Sequence, residues 1–341
     1  MRLLILTQKV DINDDNLGFF HRWVEEFTKH FNKVTVICLQ KGEYNLPKNA
    51  KVLSLGKEKK ESRIKYFFNF YKYIWLERKN YDAVFIHMNP EYAILGGLFW
   101  KFWNKKIGLW YTHRAINLKL RIAEKTADKI FTASKESFRL RSNKVIVTGH
   151  GINTERFKLS DISRQQSDKL KIISAGRITP IKNYEIFISV AEILKNNNFS
   201  FEIKIAGSAI LNSDKIYLEK LKKMIEEKNL NDRIVFVGHM PYKNITDFYG
   251  KGGLFVNFSD TGSIDKAVLE AMSCGLNILT SNEAFKNILP LEYFSNKDPK
   301  NVAEKITKLG SYMPDKKLRD YVIKNHSLEK TIGRISAILN E

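Results

Sequence analysis

Short apolar runs with the length of β-strands alternate with helical segments along the whole chain, and this alternation constrains the fold most strongly. The runs lie at residues 3–6, 34–37, 83–86, 107–110, 130–132, 145–147, 171–175, 201–206, 234–237, 254–257 and 277–280. Near-continuous apolar strands separated by helices indicate parallel sheets that helices cover on both faces. We therefore expect an α/β protein built from doubly wound, Rossmann-like sheets.

The length of the chain indicates two domains. A chain of 341 residues is long for one hydrophobic core and suits two domains of about 150 residues each. The polar run at residues 160–169 is the natural linker, because it holds three serines, two glutamines and only one strand-forming residue. The sequence therefore predicts an acceptor-side domain at residues 1–160, a second domain from residue 161, and a cleft between them.

Residues 258–275, FSDTGSIDKAVLEAMSCG, contain a candidate phosphate-binding turn that is followed by a short helix with a carboxylate. The turn at residues 261–263 consists of small residues, and a helix is expected to begin near Asp265 and end at Gly275. The free backbone N–H groups at a helix start form an anion site. Glu270, on the second turn, could bind ribose hydroxyls while the turn holds a diphosphate. This arrangement suits a sugar nucleotide.

A second segment, SAGRITPIKN at residues 174–183, follows an apolar run and precedes an amphipathic helix. Arg177 and Lys182 are therefore expected in the loop that follows the carboxyl end of a strand. Ligands bind at this end in open α/β sheets. Arginine offers a planar fork to phosphate oxygens and lysine a compact positive charge. Each cation alone is typical of a solvated loop, but together with residues 258–275 they indicate a diphosphate site.

These two segments, in this order, resemble the signature of the retaining glycosyltransferases of family 4, the group 1 glycosyltransferases, which have the GT-B fold. Further family motifs follow the family's order: a glycine loop at residues 16–19, WYTHR at 110–114, HGINTERF at 150–157, IAGSA at 205–209, RIVFVGHM at 233–240 and a closing helix after His326. The resemblance covers essentially the whole chain. It implies a nucleotide-sugar-binding domain at residues 161–315 and C-terminal helices at 316–341 that pack back toward the first domain.

The resemblance also implies a metal-independent transfer with retention, in which the departing phosphate helps to deprotonate the acceptor. The sequence agrees, because it contains no D-x-D triplet and no Cys/His cluster with metal-ligand spacing. Arg177, Lys182 and the helix start near Ser263 are then expected to stabilise the leaving diphosphate electrostatically. We expect no metal and no cofactor, since the nucleotide sugar is itself a substrate.

By resemblance, His113 is the histidine of the first domain that lies against the donor sugar; a purely structural histidine is the competing interpretation. His150 and Gly151 are expected near the cleft, and Gly18 is expected to let the first loop approach the donor, unless it is an ordinary turn glycine. The predicted catalytic residues are His113, Arg177 and Lys182. The predicted donor-binding residues are Gly18, Gly176, Arg177, Lys182, Thr261, Gly262, Ser263, Ile264, Asp265 and Glu270.

The sequence departs from the family pattern at Gly262. Family members commonly carry a glutamate eight positions before the second one, and that first position is Gly262 here. The carboxylate usually assigned to hydroxyls of the transferred sugar is therefore missing. Asp260 and Asp265 are the candidate substitutes, although neither occupies the same place. The departure affects the identity of the donor sugar more than the fold or the reaction class.

Positive charge is concentrated in the first half of the chain. Residues 1–160 hold 30 Lys and Arg against 15 Asp and Glu, a net charge of +15, whereas residues 161–341 hold 27 against 22, a net charge of +5. Residues 62–79 combine Lys and Arg with an aromatic stripe at helical spacing, and residues 98–106 have the same character. The stripe consists of Ile64, Phe67, Phe68, Tyr71, Ile74 and Trp75. It indicates either an ordinary helix that packs these residues on the sheet or an interfacial helix on an acidic membrane.

The expected function is transfer of a sugar from a nucleotide-sugar donor to a lipid-linked or glycan acceptor in cell-envelope polysaccharide or glycolipid synthesis. We expect a cytoplasmic protein, since its two cysteines read as buried free thiols, with peripheral attachment to the inner face of the cytoplasmic membrane as the sharper alternative. A GT-B sugar-nucleotide epimerase or hydrolase without an acceptor is the second hypothesis. A basic nucleic-acid-binding protein is the third, although no nucleic-acid motif appears.

Overall fold

A computed structural model describes residues 1–14, 16–158, 169–310 and 315–341. The chain divides into two compact units, one formed by Met1–Asn153 with Asn325–Glu341 and the other by Thr154–Lys324. The sequence placed these divisions at residues 160 and 316 instead. The predicted linker at residues 160–169 lies, except for Lys169, outside the described residues.

The first unit is built on a seven-stranded sheet in which every pair of neighbouring strands is parallel. Its strands are β1 (Arg2–Val10), β2 (Lys33–Lys41), β3 (Ala50–Ser54), β4 (Ala83–His87), β5 (Lys106–Trp110), β6 (Lys129–Thr132) and β7 (Val145–Val147). They lie in the order β3-β2-β1-β4-β5-β6-β7. The chain thus winds outward in both directions from β1 and β4.

Helices cover both faces of this first sheet. They are α1 (Gly18–Phe27), α2 (Arg63–Leu76), α3 (Pro90–Phe102), α4 (Leu118–Thr126) and α11 (Leu328–Asn340). Buried residues of α2, α3 and α4 share one core cluster with Leu4, Leu6 and Ile86 of the sheet. Alternate strand residues face the other side, where Phe85 lies 4.9 Å from Phe27 of α1. Helix α11 contacts α1 and β5.

The second unit is built on a five-stranded parallel sheet in the order β10-β9-β8-β11-β12. Its strands are β8 (Leu170–Ala175), β9 (Phe201–Ala206), β10 (Ile234–Gly238), β11 (Leu254–Asn257) and β12 (Asn277–Thr280). Its helices are α5 (Tyr184–Asn196), α6 (Asn212–Glu227), α7 (Ile245–Gly250), α8 (Lys266–Ser273), α9 (Pro299–Gly310) and α10 (Lys316–His326). The division between the units falls inside α10.

The two doubly wound sheets predicted from the sequence are confirmed. All eleven predicted strands are present, and the sequence missed only β3 among the strands of the described residues. No helix in the described part of the chain combines the length and the apolar character needed to cross a membrane.

Helix α2 does not pack its whole aromatic stripe on the sheet. Only Phe70 and Ile74 of this helix are buried, whereas Phe67, Phe68 and Trp75 are exposed. The helix is apolar on most of its circumference, so periodicity alone did not show which side faces the sheet. Of the two interpretations, the one that packs the whole stripe on the sheet is therefore wrong.

Candidate functional site

The site candidates of the second unit meet at its topological switch point. Strands β8 and β11 are neighbours, and the chain continues from β8 toward β9 on one side and from β11 toward β12 on the other. Residues 176–183 follow β8 and residues 258–265 follow β11, so both segments leave the carboxyl edge at this point. Open α/β sheets bind ligands in the crevice at such a point. We call these two segments, with the first turn of α8, the cradle.

Glycines let the backbone turn sharply at this edge. Gly176, Gly207 and Gly238 follow or end β8, β9 and β10, and their φ angles are +154°, +154° and +77°. The Gly176 amide donates to the Ala206 carbonyl at 2.9 Å, and the Gly207 amide donates to the Gly238 carbonyl at 2.8 Å. A Cβ atom at Gly207 would lie 1.8 Å from the Gly176 carbonyl oxygen, so only glycine fits there. Gly207 belongs to the IAGSA motif, which was not included among the predicted site residues.

An ion pair joins the two segments of the cradle. Lys182 Nζ lies 2.7 Å from Asp265 Oδ2, and the two side chains are 12% and 14% exposed. Asn257 Nδ2 also donates to Asp265 Oδ2, at 3.2 Å. Burial alone raises the pKa of Asp265, but the Lys182 charge and hydrogen bonds from Lys182, Asn257 and Ser259 outweigh it, and the pKa is lowered. Asp265 is therefore ionised at neutral pH.

The first turn of α8 points its backbone donors toward this edge. Asp265 is the N-cap residue, but its side chain pairs with Lys182 and makes no cap hydrogen bond. The first N–H groups of a helix have no partner within the helix and carry the positive end of its dipole. The preceding turn is tight, since Gly262 has a φ of +58°. Helix α8 ends as predicted, with Gly275 at a φ of +75°.

Arg177 is the exposed cation of the cradle. Its guanidinium forms no ion pair or hydrogen bond with the part of the chain that the structure describes. The backbone beside it is held in place, because Tyr184 OH donates to the Gly176 carbonyl at 3.3 Å. The Lys182 charge is balanced by Asp265, whereas the Arg177 charge is available to an anion.

Glu270 is buried, with 6% of its surface exposed, and does not face solvent as an ordinary polar helix residue would. Tyr249 OH donates to Glu270 Oε2 at 3.1 Å, and Lys266 Nζ lies 3.3 Å from Glu270 Oε1. Burial lowers the pKa of Lys266, and the Glu270 carboxylate opposes that shift. Burial, followed by the Glu270 charge, raises the pKa of Tyr249. These contacts fix the carboxylate on α8.

Sequence reasoning missed Tyr249 and Lys266 as partners of Glu270. Lys266 precedes Glu270 by four residues, which is the spacing of an ion pair on one helix face, so this partner had a sequence signal. Tyr249 lies on α7, and no local pattern links it to α8.

The turn before α8 is held by polar side chains. Ser259 Oγ donates to Thr261 Oγ1 at 3.2 Å, and Asn282 Nδ2 donates to the Ser263 carbonyl at 3.0 Å. Ile264 is buried, with 4% of its surface exposed. The turn is thus a fixed loop rather than an open one.

The structure separates the two candidate substitutes for the missing glutamate. Asp265 lies inside the cradle on Lys182. Asp260 lies at its rim, where its side chain is 51% exposed and pairs with Lys297, while Asn183 Nδ2 donates to Asp260 Oδ2 at 2.8 Å. Asp265 is therefore the better placed of the two.

The remaining predicted residues lie in the first unit. Gly18 is the first residue of α1, and a Cβ atom there would lie 3.1 Å from the Ile12 carbonyl oxygen. Its lack of a side chain thus already serves packing within the loop. His113 is exposed, three residues beyond β5, with its ring 5.6 Å from that of Tyr111. The donor-binding role of Gly18 and the catalytic role of His113 stay predictions.

His150 and Gly151 form a constrained turn after β7. The His150 amide donates to His326 Nδ1 at 3.2 Å, and burial, followed by the proximity of His150, lowers the pKa of His326 to about 3. Gly151 has a φ of +71°, and a Cβ atom there would lie 2.4 Å from the Trp23 ring. The packing of Trp23 and His326 accounts for both residues locally.

No group of three or more His, Cys, Asp or Glu side chains in the described residues is arranged to hold a metal ion.

Comparison with known proteins identifies the class. Residues 155–327, half of the chain, match the family model of the glycosyl transferases group 1. The chain therefore belongs to the group 1 glycosyltransferases, and the family predicted from the motifs is confirmed.

Individual relatives share the same character over part of their length. The amylovoran biosynthesis glycosyltransferase AmsK of Erwinia amylovora is 30% identical over 151 residues, which are 42% of this chain and 35% of the relative. A component of the phosphatidylinositol N-acetylglucosaminyltransferase of Arabidopsis thaliana is 26% identical over 192 residues, which are 53% of this chain and 40% of the relative. The match thus spans well under half of each of these relatives.

The crystal structure of Anabaena HepE in complex with UDP resembles the whole chain, with a TM-score of 0.79 at 14% sequence identity and complete coverage of both chains. This similarity confirms the predicted GT-B fold class.

Proposed function

We propose that this protein transfers a sugar from a nucleotide-sugar donor to a glycan or lipid-linked acceptor, with retention of the anomeric configuration. The observation that carries the proposal is the cradle. It places Arg177, Lys182 and the start of α8 together at the switch point of a parallel sheet. The solved relative with UDP supports a nucleoside diphosphate as the anion.

Arg177 and Lys182 have different tasks in this proposal. Arg177, whose guanidinium has no ion-pair partner among the described residues, binds phosphate oxygens in its fork. Lys182 is held by Asp265, so its ammonium is fixed in position and can offer its other N–H groups to the same phosphates. Fixed donors in a partly buried site stabilise developing negative charge without reorganising during the reaction. The backbone N–H groups of α8 add to this field.

Retention requires the acceptor to approach the face of the sugar from which the diphosphate leaves. The bond between the anomeric carbon and the phosphate oxygen breaks, and the bond to the acceptor oxygen forms on the same face. The acceptor's hydroxyl proton passes to the departing phosphate oxygen. The chain then needs to supply charge stabilisation rather than a nucleophile, which fits a cradle of cations and backbone amides. We propose that no divalent metal takes part.

We infer the class of acceptor from the names of two relatives. One is named for amylovoran biosynthesis and the other for transfer to phosphatidylinositol. We therefore propose a role in cell-envelope polysaccharide or glycolipid synthesis. Asp265 is proposed to contact the transferred sugar in place of the glutamate that Gly262 replaces, because its carboxylate lies within the cradle.

A transfer assay in EDTA tests this function. The protein is incubated with candidate nucleotide sugars and with glycan and lipid-linked acceptors, and the product is analysed by NMR. We expect an acceptor product with the anomeric configuration of the donor, formed at an undiminished rate in EDTA. Inverted product, or activity that requires added Mg²⁺ or Mn²⁺, contradicts the mechanism. Donor hydrolysis or epimerisation that never modifies an acceptor favours the second hypothesis instead.

A further inference from the structure

Helices α2 and α3 expose a set of large apolar side chains that the proposed transfer does not use. The four most exposed are Phe102 at 84%, Leu98 at 75%, Ile64 at 68% and Phe68 at 64%. We define the apolar face by its exposed members, which are Ile64, Phe67, Phe68, Trp75, Leu76, Leu98, Phe99 and Phe102. Contiguous apolar surface of this kind marks an interaction site, whereas single exposed residues are ordinary.

Ring contacts connect part of this face across the two helices. Tyr71 of α2 lies 4.7 Å from Phe67 and 5.5 Å from Phe99 of α3. Trp103, just after α3, lies 5.8 Å from Phe99 and 5.9 Å from Trp75. The two helices are also joined by a hydrogen bond that Tyr71 OH donates to the Leu95 carbonyl at 3.1 Å. Phe67, Phe99 and Trp75 are therefore connected through Tyr71 and Trp103, on helices that pack together.

Positive charge is concentrated in the same segments as this face. Residues 57–79 hold eight Lys and Arg against three Glu. Exposed cations in and beside α2 and α3 form no ion pair with any described residue; they are Lys57, Lys59, Lys60, Arg63, Lys65, Lys72, Lys79 and Lys101. Arg78 instead lies over the Trp75 ring, 4.1 Å from its centroid. Of the three glutamates, Glu77 is buried and pairs with Lys51. Within the described residues, α2 and α3 and the segments beside them thus combine unpaired cations with exposed apolar side chains.

We propose that the apolar face docks on an anionic lipid membrane, with its aromatic side chains in the interface and its cations on the headgroups. Charge complementarity selects this occupant, because many unpaired cations of one sign match a surface of many anions. Trp, Phe and Leu beside Lys and Arg form the composition of helices that lie in the membrane interface. Tyrosine and tryptophan suit that depth, since one end of each ring is apolar and the other is polar.

The proposal goes beyond the transfer reaction and does not depend on it. It assigns a lipid surface as a partner of the first unit, whereas the cradle lies in the second unit. If the protein both transfers a sugar and docks on a membrane, its acceptor is expected to be a molecule held in that membrane. Loss of membrane binding would leave transfer to a soluble acceptor unaffected.

Vesicle co-sedimentation tests the docking surface. The full chain is mixed with phosphatidylglycerol-containing vesicles or with pure phosphatidylcholine vesicles, at low salt and at rising salt. We expect it to pellet with the anionic vesicles, to stay in solution with the neutral ones, and to be released as salt screens the attraction. Equal pelleting with both compositions, or none with either, overturns the proposal.

Matched variants localise the binding. The test variant carries Leu98→Glu and Phe102→Glu, and the control carries Ile216→Glu and Leu291→Glu, which are 73% and 79% exposed in the second unit. We expect the test variant to lose at least ten-fold in vesicle affinity and the control to keep it. Unfolding midpoints like that of the wild-type protein show that both pairs remain folded. Equal losses overturn the assignment of this face, and so does a wild-type dimer that only the test variant dissociates, since the face then binds a second copy.

Discussion

The cradle and the apolar face present positive charge in opposite ways. In the cradle, Lys182 is mostly buried and held at 2.7 Å by Asp265. On the apolar face, eight exposed cations have no ion-pair partner among the described residues and lie in the same segments as exposed aromatic side chains. A charged group that is held in place and largely shielded from water recognises one ligand in one geometry, because the protein has already oriented the hydrogen-bond donors of that group. Unpaired surface charges act through their sum and are screened by salt.

Single substitutions should therefore have effects of different size in the two regions. A change in the cradle removes one irreplaceable contact, so its effect should be large. A change of one cation on the apolar face removes one of many similar attractions, so its effect should be small.

The largest effect is expected from Arg177→Ala and Lys182→Ala. Each variant removes a cation that is proposed to stabilise the leaving diphosphate, so kcat/KM for transfer should fall about 100- to 1,000-fold. Lys223→Ala is the matched control, since this lysine lies on α6 with 77% of its side chain exposed. Steady-state transfer assays check the result. Values within three-fold of wild type in both cradle variants would place the diphosphate elsewhere.

The next largest difference is expected in folding stability, between the turn at Gly207 and the apolar face. Gly207→Ala places a methyl group against the Gly176 carbonyl oxygen at a positive φ, so it should cost roughly 3 kcal/mol of unfolding free energy. Phe68→Ser on the apolar face should change stability by about 0.5 kcal/mol or less, because that ring is exposed. Urea unfolding of both variants measures the difference. Similar costs in the two regions would mean that the turn at Gly207 can relax.

Acid unfolding tests the paired carboxylate of the cradle. The pKa of Asp265 is lowered in the folded protein. As the pH falls, this carboxylate is therefore protonated in the unfolded chain at a higher pH than in the folded protein. The stabilisation from its ionised form is complete above its ordinary value of 3.8 and is lost as the pH falls through the folded value. We expect Asp265→Asn to flatten the acid loss of stability in that window. Unfolding curves that remain parallel to those of wild type would show that the pair adds no stability.

The smallest effect is expected from one cation of the apolar face. Lys72→Ala should weaken binding to anionic vesicles about five-fold, the equivalent of roughly 1 kcal/mol per surface cation. Transfer to a soluble acceptor should stay unchanged. Co-sedimentation measures the first quantity and the transfer assay the second. A complete loss of vesicle binding would indicate a specific lipid pocket at Lys72 rather than a collective surface.

The sequence was sufficient for the fold because buried parallel strands are nearly continuous apolar runs. The missed strand β3 shows the limit of that rule. It pairs with β2 alone, at the edge of the sheet, and its sequence AKVLS is partly exposed throughout, so no apolar run marks it. Helix α2 shows a second limit. Its apolar residues surround the helix, and only contacts with the sheet decide that Phe70 and Ile74 face inward.

The sequence also located the segments of the cradle, because glycines, cations and a helix start follow strand ends in a recognisable order. It did not predict that Asp265 pairs with Lys182 instead of capping α8. That choice depends on β8 and β11 being neighbours, and the two residues are 83 positions apart. Tyr249 was missed for the same reason, since its hydrogen bond to Glu270 depends on how α7 packs beside α8.

Calorimetric titration with nucleoside diphosphates in EDTA tests the cradle most directly. UDP and GDP are titrated into the wild-type protein, Lys182→Ala and Lys223→Ala. We predict that wild type and Lys223→Ala bind one of the two with the same Kd, and that Lys182→Ala binds it roughly 10- to 100-fold more weakly, since it loses a charged hydrogen bond. Equal affinity of Lys182→Ala and wild type, or no binding to wild type, would contradict the assignment of the cradle as the donor site.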